Sequence, residues 1–266
     1  MPIERIGNLF HPQSIAVVGA SDRTGSIGLA LMRKLVEAGF GGAIHPVNPN
    51  RTAVMGRKAL PDLNQIKGPL DLVVVATPID TVPAIIADCA RLGVAGVVII
   101  SAGGKETGRT GREIEDRIRT AATGSSLRII GPNCLGIMCH SARLNASFAS
   151  RMPIDGKLAF ISQSGAICTA ILDFSAKERI GFSHFISLGS MLDVDFGDMI
   201  DYLGADPKVA SIVMYVEGLT RHRNFMSACR AVSRIKPIIA LKAGRTRAGA
   251  AAAASHTGAM AGEDAV

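Results

Sequence analysis

The chain has 266 residues, 48% of them apolar and 19% charged, with 29 glycines, no Trp and only 4% aromatics. That balance excludes a disordered or fibrous chain, which cannot bury enough apolar surface to offset its ordering entropy. It leaves aliphatic side chains to build the core of a soluble α/β protein. The formal net charge of +7 favours an anionic ligand by long-range attraction. The basic residues are scattered and stacking aromatics are few, which argues against nucleic acid and for a small phosphorylated ligand.

At roughly 150 residues per domain, this length fits one large or two compact domains. Short β-branched runs alternate with longer amphipathic segments. Strands are expected at 14–18, 43–47, 72–75, 96–100 and 128–130, with helices at 28–38, 79–92 and 111–123. Continuous apolar runs bounded by loops mark strands buried on both faces, hence a parallel sheet covered by helices. The alternation pauses over 131–155, rich in Gly, Pro, Asn and Ser. It then resumes with strands at 157–162, 182–187, 210–215 and 237–241 and helices at 165–178, 195–203 and 221–234. Right-handed crossovers make each half a doubly wound sheet, dividing the chain into domains 1–150 and 151–266. The small-residue stretch 248–254 reads as a mobile loop, and the end soon after reads as a second domain cut short or a fragment.

The opening residues Met1-Pro2-Ile3-Glu4-Arg5 lack the basic-then-apolar pattern of a secretory signal. The longest apolar stretches, 72–76 and 94–100, fall far short of the ~20 residues needed to span a bilayer. The five cysteines, Cys89, Cys134, Cys139, Cys168 and Cys229, form no CxxC pair and are expected as reduced thiols in a cytoplasmic protein. The Cys139-His140 pair lacks matching partners, so no metal site is expected.

Several loops carry candidate chemistry. Gly19-Ala20-Ser21-Asp22-Arg23-Thr24-Gly25-Ser26-Ile27-Gly28 links the first strand to the first helix. Glycines let a phosphate approach the backbone, and a helix N-terminus supplies free N–H donors. The spacing is not GxGxxG, and a tight turn with no ligand accounts for it equally well. Ile161-Ser162-Gln163-Ser164-Gly165-Ala166 repeats the arrangement; Ser164 suits an N-cap, and capping alone explains it. Gly131-Pro132-Asn133-Cys134-Leu135-Gly136 sits at the carboxyl edge of the first sheet, where open α/β sheets bind ligands. No His is placed by sequence to activate Cys134, so packing beside a ligand or plain burial accounts for it.

Of six histidines, His11, His45, His140, His184 and His222 are read as structural or solvated. His256 differs, lying among Ser255, Thr257 and Gly258, where a neutral imidazole is an accessible nucleophile near its pKa of about 6.5. Glu217 follows a strand and can orient an imidazole by accepting its second N–H, or simply close the strand as an exposed carboxylate.

Together, residues 14–28, Gly131–Gly136, Ile161–Ala166, Val216-Glu217-Gly218 and Ser255-His256-Thr257-Gly258-Ala259 resemble the α subunit of succinyl-CoA synthetase. They resemble NDP-forming acyl-CoA synthetases, such as ADP-forming acetate–CoA ligase, more closely. The resemblance implies a Rossmann-like CoA-binding domain followed by a flavodoxin-like ligase domain. It implies His256 as the phosphorylated histidine and Glu217 as the carboxylate that steadies it. Ser162, Ser164 and Gly165 would hold phosphate. Gly19, Ser21 and Arg23 would hold CoA phosphates; Val47, Asn48, Pro49, Ala76, Thr77 and Pro78 would line that cofactor, with Asn133 and Cys134 towards its thiol. An acyl-CoA or small carboxylic acid would be the substrate. ADP or ATP with Mg²⁺ would belong to an ATP-grasp subunit or fused domain, in an oligomeric assembly.

Two rivals stand beside it. One is the CoA- or acyl-CoA-sensing regulatory module of a protein lysine acetyltransferase, suggested by Leu144-Asn145-Ala146-Ser147-Phe148 and Gly156-Lys157-Leu158-Ala159-Phe160, but such modules generally lack the reactive histidine. The other is an NAD(P)-dependent oxidoreductase, disfavoured by the glycine spacing.

Overall fold

The computed structural model describes residues 4–244, so His256 and the stretch 248–254 lie outside the described residues. The first half comprises α1 (Glu4–Phe10), β1 (Ser14–Val18), α2 (Ile27–Glu37), β2 (Ala43–Val47), β3 (Ala53–Val54), β4 (Arg57–Lys58), β5 (Leu72–Val75), α3 (Val82–Arg91), β6 (Gly96–Ile99), α4 (Arg109–Ala122) and β7 (Arg128–Ile130). Then come β8 (Gly136–Cys139), β9 (Leu144–Ser147), β10 (Ile154–Ser162), α5 (Gly165–Glu178), β11 (Gly181–Ser187), α6 (Phe196–Ala205), β12 (Ser211–Val216), α7 (His222–Val232) and β13 (Ile238–Lys242).

The first sheet has the order β2-β1-β5-β6-β7 and is wholly parallel. Its central strands β1, β5 and β6 are buried at every position because both faces are covered. Ile15, Val17, Leu72 and Val74 face one core, while Ala16, Val18, Val73 and Val75 face another. Each Val, Leu or Ile among them contributes about 1.5–3 kcal/mol by leaving water. The second sheet runs β13-β12-β10-β11-β8-β9, with β10 to β13 parallel and the β8–β9 hairpin antiparallel at its edge.

The two sheets share one core. Leu9, Leu31 and Leu35 of α1 and α2, Val98 and Ile130 of the first sheet, and Ile137, Ala159 and Ile186 of the second belong to the same buried cluster. The helices on the inner face of the first sheet thus also cover the second, which fixes how the sheets sit together.

The hairpin corrects the expected pause over 131–155. Ile137, Met138, Cys139, Leu144 and Ala146 are fully buried, and β8 pairs with β11 from His184 to Ile186. Sheet membership therefore changes over residues 131–135. At Gly136 (φ +115°) an added Cβ would lie 2.2 Å from the Ala146 carbonyl, so glycine permits the hairpin's close approach rather than marking a loop. The helix α1 was also unforeseen, being only seven residues long.

A buried ion network joins the halves. Arg128 on β7 donates from Nε to Asp193 Oδ2 (2.8 Å) and from Nη2 to Asp193 Oδ1 (3.3 Å) and Asp198 Oδ2 (3.1 Å). Arg221 bonds Asp195 and Asp198 from the other side, and Asp195 and Asp198 form a reciprocal capping box at the start of α6. Arg128→Ala leaves two part-buried carboxylates short of a partner. A loss of about 3 kcal/mol is expected, read from the midpoint of urea unfolding.

Candidate functional site

In both sheets the order of the parallel strands turns back beside the first of them. β1 lies between β2 and β5, and β10 lies between β11 and β12. Such switch points open a crevice beyond the carboxyl ends of the strands, free of crossover helices. The turns that follow β1, β5, β10 and β12 occupy these crevices, which explains why the sequence motifs fall there.

Both crevices contribute to one cavity of about 590 Å³. From the first sheet come Ala76, Thr77 and Pro78 after β5, Ser101, Lys105 and Glu106 after β6, and Asn133 and Cys134 after β7. From the second come Gln163, Ser164 and Gly165 after β10, Ser190 after β11 and Glu217 after β12. A second cavity of about 320 Å³ is lined by Gly19, Val47, Asn48 and Pro49, and Thr77 borders both. Its walls are held by Asn48, whose Nδ2 donates to the Ala20 carbonyl (2.7 Å) while its Oδ1 accepts from Asn50 N–H (2.9 Å).

The turn after β1 is tight. Gly19 has φ +91°, and a Cβ on Gly28 would lie 2.0 Å from the Gly19 carbonyl. Ser26 caps α2 by accepting from Leu29 N–H (3.2 Å). Ser21 accepts from Arg23 N–H (3.0 Å) and stabilises the turn. Neither Ser21 nor the exposed Arg23 lines the two cavities.

In the second half, Ser164 is the N-cap of α5, accepting from Ile167 N–H (3.3 Å). Gly165 faces open space, with nothing within 4 Å of an added Cβ. Ser162 is separated from these two by burial. Its hydroxyl donates to the Ser164 carbonyl and accepts from Ser164 N–H, both at 3.0 Å, so it shapes the turn without lining the cavity. Between them, Gln163 spans the switch point: its Oε1 accepts from the N–H groups of Glu217 (2.6 Å) and Gly218 (3.0 Å). That pair sets the Glu217 turn against the start of α5.

Cys134 is buried, its thiol donating to the Ile99 carbonyl (3.2 Å). Burial pushes its pKa up to about 12, which removes the thiolate a nucleophile requires. The structure therefore favours packing beside the cavity, one of the two readings left open by sequence.

Gln163, Lys105 and Glu106 were not singled out from the sequence. Lys105 Nζ donates to the Ser190 carbonyl (2.6 Å), bridging the halves across the cavity. Glu106 Oε1 accepts from Gly103 and Gly104 N–H (2.7 and 3.2 Å), while its buried Oε2 has no hydrogen-bond partner among the described residues. The available signal was position: Ser101-Ala102-Gly103-Gly104-Lys105-Glu106 directly follows a buried parallel strand.

A family model described as a CoA binding domain matches residues 13–140, and one described as a succinyl-CoA ligase like flavodoxin domain matches residues 155–266. The class is thus a CoA-binding domain joined to a ligase-type flavodoxin domain. The chain is 43% identical over 253 residues to the α subunit of acetate–CoA ligase (ADP-forming) II of Pyrococcus furiosus, covering 95% of this chain and 55% of that protein. It is 41% identical over 258 residues to acetate–CoA ligase (ADP-forming) of Methanocaldococcus jannaschii, covering 97% and 36%. A solved structure of dinucleotide-forming acetyl-coenzyme A synthetase 1 from Ca. Korarchaeum cryptofilum, in complex with phosphate and ADP, superposes with a TM-score of 0.92 at 40% identity, covering 98% of this chain and 56% of that one. The chain belongs to the NDP-forming acyl-CoA synthetase family and corresponds to its CoA-binding, α-type part. It spans between about a third and just over half of the length of these relatives, whose names give no support to the acetyltransferase-module alternative. Among the described residues, no helix is long and apolar enough to cross a membrane.

Two outcomes test this geometry. Gly28→Ala pushes α2 off the β1 turn, and CoA affinity measured by calorimetry should fall at least about tenfold, or ~1.4 kcal/mol. In native protein at pH 8, Cys134 should resist iodoacetamide, as read by mass spectrometry, and become reactive only on unfolding.

Proposed function

We propose that this chain is the acyl-CoA-cleaving half of an ADP-forming acyl-CoA synthetase, working with an ATP-grasp subunit or fused domain that holds ADP or ATP and Mg²⁺. The observation that carries the proposal is the single cavity into which the Ala76–Pro78 turn of one sheet and the Ser164–Gly165 helix start and Glu217 of the other all open.

The donor set suits the ligands. Gly19, Val47, Asn48 and Pro49 offer a slot bounded by backbone, where a Cβ on Gly19 would meet the Ala76 carbonyl at 3.0 Å. An extended pantetheine arm running from this slot past Thr77, which borders both cavities, brings a thioester into the larger one. There the free N–H groups at the start of α5 favour an anion, with Gly165 leaving room for it. A phosphate oxygen attacks the thioester carbonyl and the thiol leaves, giving acyl phosphate and CoA. A ring nitrogen of His256 then attacks phosphorus, the carboxylate departs, and the phosphoryl group passes from His256 to ADP on the partner. Glu217 accepts the other ring N–H and stabilises the imidazolium, and Gln163 holds Glu217 in register with the phosphate site. The N–H donors of α5 stabilise charge on the moving group without rearranging.

Mixed with an ATP-grasp partner, Mg²⁺ and γ-labelled ATP, the chain should acquire an acid-labile phosphoryl label. His256→Ala should abolish it, and Glu217→Gln should slow its appearance by about a hundredfold. Labelling that survives His256→Ala would remove the mechanism.

A further inference from the structure

Midway along β11, outside the cavity, three side chains from distant parts of the sequence converge. These are His11, just after α1, Cys139, at the end of β8, and His184, on β11. One ligand atom from each lies within 4.8 Å of the others, and none of the three lines the cavity. Cys139 Sγ is 3.5 Å from His184 Nε2. A tetrahedral zinc ion, with Zn–S about 2.3 Å and Zn–N about 2.1 Å, separates such a pair by about 3.6 Å.

The hydrogen bonding around His184 fixes which nitrogen faces the cluster. Ser183 Oγ donates its only proton to the Leu158 carbonyl (3.1 Å), so towards His184 Nδ1, 3.3 Å away, it acts as acceptor. Nδ1 therefore carries the ring hydrogen, and Nε2 presents a lone pair to Cys139. Asp206 Oδ2 lies 3.7 Å from that same Nε2, while Oδ1 accepts from Lys208 N–H (2.8 Å). In the metal-free chain the Cys139 thiol can donate to this Nε2; once that proton is lost, sulfur and nitrogen both present lone pairs to the same space, as a bound cation requires. A second-sphere hydroxyl fixing the far nitrogen is the arrangement that orients metal-binding imidazoles. Phe10 and Tyr202 pack against the His184 ring and hold it in place, whereas His11 is exposed and gives an ion access from solvent.

We propose that His11, Cys139 and His184 form a structural Zn²⁺ site, with Asp206 beside its fourth position. Binding replaces the Cys139 S–H bond with a sulfur–zinc bond and releases the proton to solvent. The thiolate and the Asp206 carboxylate bring two negative charges to a dipositive ion, offsetting Lys208 nearby. The site ties the segment after α1 to the second sheet. His140, which sequence pairs with Cys139, takes no part: its Nε2 faces the Pro153 carbonyl (2.9 Å).

The test uses the whole chain, stripped with chelator and titrated with Co²⁺. One equivalent should produce a thiolate-to-cobalt charge-transfer band, which Zn²⁺ should displace. Cys139→Ser should lose the band. His11→Ala, at an exposed position that leaves the core intact, should keep the fold and weaken Zn²⁺ binding at least about tenfold. A wild-type chain without the band, a band that survives Cys139→Ser, or His11→Ala binding Zn²⁺ as tightly as wild type would each overturn the proposal. The cluster would then be a plain thiol–imidazole contact.

Discussion

The structure depends on one packing constraint: a single layer of helices and apolar strand faces serves as core for two sheets at once. Leu31 and Leu35 of α2 share a cluster with Ile130 of the first sheet and Ile137 and Ile186 of the second. Two independently covered sheets would be free to turn about their connection. Here the shared layer holds the two switch points in register, and the turns at their carboxyl ends open into a common space. Arg128, reaching from β7 to Asp193 and Asp198, and Lys105, reaching from beyond β6 to Ser190, reinforce the same joint with polar bonds.

From that joint the division of labour follows. The first sheet contributes backbone-lined turns suited to a long, jointed anion such as CoA, and its family assignment rests on the matching domain. The second contributes a capped helix start and a carboxylate, locked together by Gln163. The group transfer proposed between the two needs its participants held close without being rebuilt at each step, which is what preorganised dipoles provide.

Much of this was legible in the sequence, for an identifiable reason. Runs such as Leu72–Val75 are apolar at every position, and only a strand buried on both faces tolerates that; the α/β class and most elements follow. What escaped was non-local or short. Seven residues of α1 give too little period to read, and β8 and β9 hide in a stretch whose glycine, Gly136, serves close packing. The loop motifs pointed to the sheet edges where the cavity lies but did not resolve neighbours: Ser162 and Ser164 look alike in sequence, yet one is buried shaping the turn and the other borders the cavity. Gln163 between them went unremarked because its role is a contact across 54 residues. The meeting of His11, Cys139 and His184 is likewise created only by the fold.

The most direct test is a crystal structure of the chain with CoA and inorganic phosphate bound. The pantetheine thiol should lie inside the cavity between Thr77 and Glu217, with phosphate on the N–H groups at the start of α5. A thiol directed away from the second sheet, or a phosphate bound elsewhere with that helix start left to water, would contradict this placement.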